Sequence, residues 1–113
     1  MAELDREDII QFSSKVIKLF TENKGCKLRC EELISTNGQN YDSHFTSKNI
    51  FYMYIENASL RFSGGRLMII GEKGESYEID IMSIICAVED DDSFIIIEQL
   101  GGEFTRKSIL SLM

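Results

Sequence analysis

The chain has no proline, no tryptophan and a single histidine among its 113 residues, and each shortage removes a class of explanation. Without proline, the turns must rest on glycine, asparagine and aspartate. The accompanying richness in Ile, Lys, Asn and Glu suits an AT-rich bacterial or phage genome. The one histidine, His44, sits in Asp42-Ser43-His44, which holds the three residue types of a hydrolase triad. Neighbours in sequence cannot converge as a triad does, because each group must face the next. A histidine in a polar stretch is ordinarily a solvated one.

No hydrophobic run approaches the roughly 20 residues of a membrane span. The start, MAELDREDII, is acidic and lacks the basic-then-apolar order of a secretory signal. Three cysteines, Cys26, Cys30 and Cys86, cannot form a paired disulfide framework, so a reducing cytoplasm is the expected home. A zinc site needs two close-spaced ligand pairs, and only Cys26 and Cys30 make one. Cys86 lies in the apolar run IICAV and reads as a small hydrophobe. No metal and no cofactor is expected.

Basic side chains are also in the minority. The net charge is -7, with seven basic and eight acidic residues up to Lys48 and five and eleven from Asn49 onward. Phosphate recognition relies on a basic surface, so nucleic acid is not expected as the main ligand, nor is an anionic membrane. Glu89 to Asp92 puts four carboxylates together, but a calcium loop needs six to eight arranged oxygens, and the block reads as a solvated turn.

What the chain does have is patterning. Its length and its 43% hydrophobic content fit a single domain over 1–113 with one core. Over 6–24, Ile9, Phe12, Val16, Ile17 and Phe20 recur at helical spacing. Asp5 is placed as an N-cap, Glu7 and Asp8 meet the positive end of the helix dipole, Leu4 and Ile9 stand as a hydrophobic staple, and Gly25 is placed to stop the helix. The stretch CKLRCEELI, 26–34, satisfies a strand or a helix, and a strand ending near Ile34 is the preferred reading. Residues 35–49 are polar and read as one long loop, whose deletion over 36–47 is expected to leave stability nearly intact.

From Ile50 to residue 106 the chain reads as a meander cut by Asn57, Gly64-Gly65, the Gly71–Gly74 segment, Met82-Ser83 and the aspartates at 90–92. Tyr77, Ile79 and Ile81 alternate with Glu78 and Asp80, as in a strand with one wet side. Residues 104–113 satisfy either a last strand or a short helix capped by Thr105. The expectation is an α+β fold: an N-terminal amphipathic helix, then six or seven antiparallel strands in a curled sheet. The rhythm of YEIDIMSIICAVEDDDSFIIIE suits a pleckstrin-homology-like roll or a small SH3- or Sm-like barrel.

No catalytic constellation or phosphate loop stands out. An acidic chain with an apolar helix stripe and little site chemistry points to a non-catalytic interaction or assembly module that meets a protein partner or a second copy of itself. Tyr41, His44 and Phe45 in the polar loop, with Tyr52 and Tyr54 on the first strand of the meander, are the candidate contact residues. The alternative is a small barrel for single-stranded nucleic acid or a small anion, with Arg61, Gly64, Gly65 and Arg66 as an anion nest and the tyrosines as a stacking platform.

Overall fold

A computed structural model describes residues 5–42, 46–61 and 65–113. It has one N-terminal helix followed by seven antiparallel strands in one open sheet. His44, Phe45, Gly64 and the Leu4 half of the expected staple lie outside the described residues.

The helix α1 spans Arg6–Glu22. Asp5 caps it: a carboxylate oxygen accepts the Asp8 N–H at 2.8 Å. The helix stops two residues earlier than the hydrophobic pattern suggests. Asn23 closes it by sending both its backbone N–H and its side-chain amide to the Leu19 carbonyl, at 3.1 and 2.7 Å. Gly25 does adopt a left-handed conformation (φ 89°), and its N–H then donates to the Ile55 carbonyl, leading the chain into the sheet.

The strands are β1 (Lys27–Ser35), β2 (Thr46–Arg61), β3 (Arg66–Gly71), β4 (Ser76–Asp80), β5 (Ile84–Asp90), β6 (Ser93–Gly101) and β7 (Phe104–Leu112). Their order across the sheet is β4-β3-β2-β1-β7-β6-β5. The ambiguous segment 26–34 is therefore the central strand, laddered to β2 on one side and β7 on the other. Residues 104–112 are strand rather than helix, because the chain's last segment pairs with its first strand.

Two further expectations change. The loop drawn over 35–49 is shorter, since Ser35 belongs to β1 and pairs with Thr46, so β2 begins at Thr46 and not at Ile50. Asn57 does not break the meander into two strands. The register of β2 on β3 shifts between Ile55 and Asn57, and one long strand passes through a β-bulge. The bulge lets the first half of β2 pair with β1 and the second half with β3, bending the sheet.

Between β4 and β5 the chain makes one 3-10 turn, Ile81–Ser83, capped by the Asp80 carboxylate accepting from the Met82 N–H. These two strands are the edges of the sheet, and no ladder joins them among the described residues. On the β5–β6 hairpin, Asp91 takes a left-handed conformation (φ 53°) that aspartate tolerates.

The sheet has an inner and an outer face. Leu28, Cys30, Met53, Ile55, Phe94, Ile96 and Leu110 are buried inside, together with Val16 and Phe20 of α1. Phe12 and Phe20 meet Phe94 edge-on, with ring centroids 5.6 and 5.7 Å apart. The helix stripe is thus spent on its own sheet. It covers the Phe94 end of the inner row and leaves the Glu98 end, four residues along β6, to other groups.

Candidate functional site

At the uncovered end of the inner face lies an open depression of about 500 Å³, walled by Phe51, Tyr77 and Leu100 and by charged groups from five strands. Glu98 and Arg106 are cross-strand partners of β6 and β7. Arg106 donates to the Glu98 Oε1 from Nε at 2.8 Å, and its Nη2 lies 2.7 Å from the same oxygen. Its Nη1 reaches Glu32 at 3.3 Å, and Nη2 also donates to the Glu78 carbonyl. The other Glu98 oxygen accepts the Asp80 N–H at 3.0 Å.

Two backbone groups of the β4 edge are therefore satisfied by side chains of β6 and β7. The Tyr77 ring stacks against the guanidinium, 5.2 Å from its centroid, and its hydroxyl bonds Ser108 at 2.6 Å. Burial pushes the Glu98 carboxyl up, against the opposing pull of Arg106 and the Asp80 N–H. Burial pushes the Tyr77 hydroxyl up to about 12. Burial works against the Arg106 charge, but Glu98 and Tyr77 outweigh it and hold the guanidinium more firmly protonated than usual. These groups satisfy one another, and the cluster offers no activated nucleophile.

The outer face is different. Along β2, Ile50, Tyr52 and Tyr54 form one row, each more than 40% exposed. Register places Lys27, Arg29, Glu31 and Leu33 of β1 opposite Tyr54, Tyr52, Ile50 and Lys48. On the far side of β1, Ser111, Ile109 and Lys107 stand opposite Arg29, Glu31 and Leu33. Across these three strands the outer rows hold four cations and one carboxylate, inside a chain of net charge -7.

Glu31 binds two of the cations, Arg29 at 3.0 Å and Lys48 at 3.1 Å. Burial disfavours its charge, but those two partners prevail and hold its pKa below the usual range. Hydrogen bonds to Glu31 first and to Tyr52 second hold Arg29 protonated. Lys27 lies over the Tyr52 ring at 4.8 Å and Lys107 over the Tyr41 ring at 5.4 Å. Neither has an ion pair among the described residues.

Of the residues singled out in the sequence, Tyr52 and Tyr54 share this exposed row. Tyr41 is half-buried and works as a strap. Its hydroxyl lies 2.7 Å from the Thr105 hydroxyl, which also donates to the Gly38 carbonyl, while the Gly38 N–H donates to the Glu103 carbonyl at 2.8 Å. Burial raises the Tyr41 pKa in spite of Thr105. Residues 36–42 are thus tied to the sheet.

Arg61 and Arg66 are cross-strand partners. Arg61 bonds Ser59 at 3.3 Å, Arg66 lies 4.0 Å from Asp80, and the Gly65 carbonyl accepts the Ile81 N–H. Cys26, Cys30 and Cys86 form no disulfide, and burial pushes Cys30 up to about 12. Among the described residues no group of three or more His, Cys, Asp or Glu could hold a metal ion, and no helix is long and apolar enough to cross a membrane.

Sequence reasoning missed the Glu98–Arg106 cluster and the convergence of Lys27, Arg29, Lys48 and Lys107. Period-2 counting along β6 would have found Glu98, which shares its face with Phe94 and Ile96. No local signal brings the four cations together. No family model, no curated protein and no solved structure matches the chain. The roll and the small barrel expected from the strand rhythm therefore have no counterpart to rest on.

Proposed function

We propose that the protein is a non-catalytic interaction module that engages a protein partner through the outer face of β2, β1 and β7. The row Ile50, Tyr52 and Tyr54 carries this reading: three large side chains stay exposed in one row of a strand. Tyrosine and arginine dominate the energetic centres of protein interfaces, and Arg29 stands directly opposite Tyr52. The helix that might have served as a docking element is already packed on its own sheet. Three cysteines without a disulfide fit a reducing compartment such as the cytoplasm.

A second reading, binding of single-stranded nucleic acid, is favoured by one observation: Tyr54 and Tyr52 stand opposite Lys27 and Arg29. Stacking rings flanked by cations suit bases and phosphates. The two readings separate in one experiment. Tagged protein is used for capture from lysate with and without nuclease, alongside the variant Tyr52→Ser/Tyr54→Ser. A stoichiometric protein that survives nuclease and is lost with the variant supports the module. Capture that disappears with nuclease supports nucleic acid. Capture unchanged by the variant overturns the outer face as the site.

A further inference from the structure

Resting on the interaction reading, we propose that the outer face takes an extended acidic segment of a protein partner, with a carboxylate at each end of a short apolar stretch. Charge complementarity and strand length on this face support it. Of the four cations on this face, Arg29 and Lys48 are spent on Glu31. Lys27 and Lys107 rest on tyrosine rings instead, at 4.8 and 5.4 Å. A lysine held by a ring contact, on exposed Tyr52 or half-buried Tyr41, is readily redirected to a carboxylate, because such a contact is weaker than an ion pair.

The two lysines also mark the ends of the patch. Lys27 begins β1, and Lys107 is the register partner of Leu33, six residues further along the same strand. Six residues of strand span about 20 Å. Between them the paired Arg29 and Glu31 run along β1, flanked by Tyr52 and Ile50 on one side and Ile109 on the other, with Leu33 beside Lys107; these apolar or aromatic side chains are at least partly exposed. An extended partner of about seven residues matches that length. Its end carboxylates would meet the lysines, and alternate apolar side chains would lie on the central band.

Nucleic acid fits less well. Two cations without an ion pair among the described residues give few phosphate contacts, aliphatic Ile50, Leu33 and Ile109 offer bases nothing to stack on, and the chain is acidic.

The test is a selection on the intact protein from a display library of random peptides of about seven residues, repeated on Lys27→Glu/Lys107→Glu. Both lysines lie on the outer face, so the double variant is expected to fold. Its far-ultraviolet spectrum checks that. Wild type should enrich peptides with a carboxylate toward each end and apolar residues between, and synthetic copies should bind the variant roughly tenfold more weakly. The variant should enrich lysine- or arginine-ended peptides. Enrichment without charge bias, or the same peptides from both proteins, overturns the proposal. So does an oligothymidylate strand that binds the wild type more tightly than the enriched peptides. Failure here, with lysate capture still lost in Tyr52→Ser/Tyr54→Ser, removes the acidic segment and leaves the interaction module standing.

Discussion

Arg106 and Glu98 close the sheet where its backbone does not. The two side chains pair at 2.7 Å across β7 and β6, then reach together to the β4 edge, Arg106 to the Glu78 carbonyl and Glu98 to the Asp80 N–H. An unpaired edge exposes backbone donors and acceptors that invite other strands. Here a buried ion pair from β6 and β7 answers two of them on β4. Glu98 is only 1% exposed, so its charge depends on that pairing.

Arg106→Ala should therefore destabilise the fold by about 3–5 kcal/mol, because it leaves the Glu98 carboxylate buried without its partner. Replacing both by apolar residues, Glu98→Leu/Arg106→Met, should recover much of that loss. Urea unfolding of the three proteins measures it. A single variant within about 1 kcal/mol of wild type would show that the pair is not a closure.

Gly71 should not tolerate a side chain. A Cβ there would stand 2.9 Å from the Met53 Cβ and 2.7 Å from the Glu75 Oε1. The glutamate can swing away, but Met53 is fixed in the core. Gly71→Ala should cost about 1–3 kcal/mol by overpacking, read as a lower denaturation midpoint.

The outer face has its own pH signature. The Glu31 pKa is lowered in the folded state, so its contribution is present above the ordinary glutamate range and is lost as pH falls through the folded value. Wild type should exceed Glu31→Gln in stability near neutrality, by no more than about 1 kcal/mol for a pair this near the surface. The gap should close in acid. Thermal unfolding of both proteins across that range measures it, and a gap independent of pH would remove Glu31 as the charge that holds Arg29 and Lys48.

Shortening the polar connection should be costly. Deleting 36–47 would remove Thr46 and Ser47 from β2 and cut the Gly38–Glu103 and Tyr41–Thr105 bonds. The milder Tyr41→Phe should lose about 1 kcal/mol, the worth of one hydrogen bond, and its thermal midpoint should fall accordingly.

The helix, its Asp5 cap and the hairpins were legible because their causes are local: a spacing, a cap, a pair of turn residues. Asn57 was misread as a break because a bulge carries the same punctuation as a turn. CKLRCEELI stayed ambiguous because its strand identity comes from two partners distant in sequence, β2 and β7. Tyr52 and Tyr54 were visible as exposed tyrosines. The cations on that face were not, since register alone sets Lys27 and Arg29 opposite the tyrosines and Lys48 and Lys107 on either side of Leu33. Glu98 and Arg106 face each other for the same reason.

The most direct measurement is photo-crosslinking in cells, with benzoylphenylalanine placed at Tyr52 and, as a control away from the outer face, at Met82, which is 67% exposed. The account expects a discrete protein adduct from position 52, insensitive to nuclease, and none from position 82. Adducts of equal yield from both positions, or from 82 alone, would contradict the outer face as the place where this protein meets its partner.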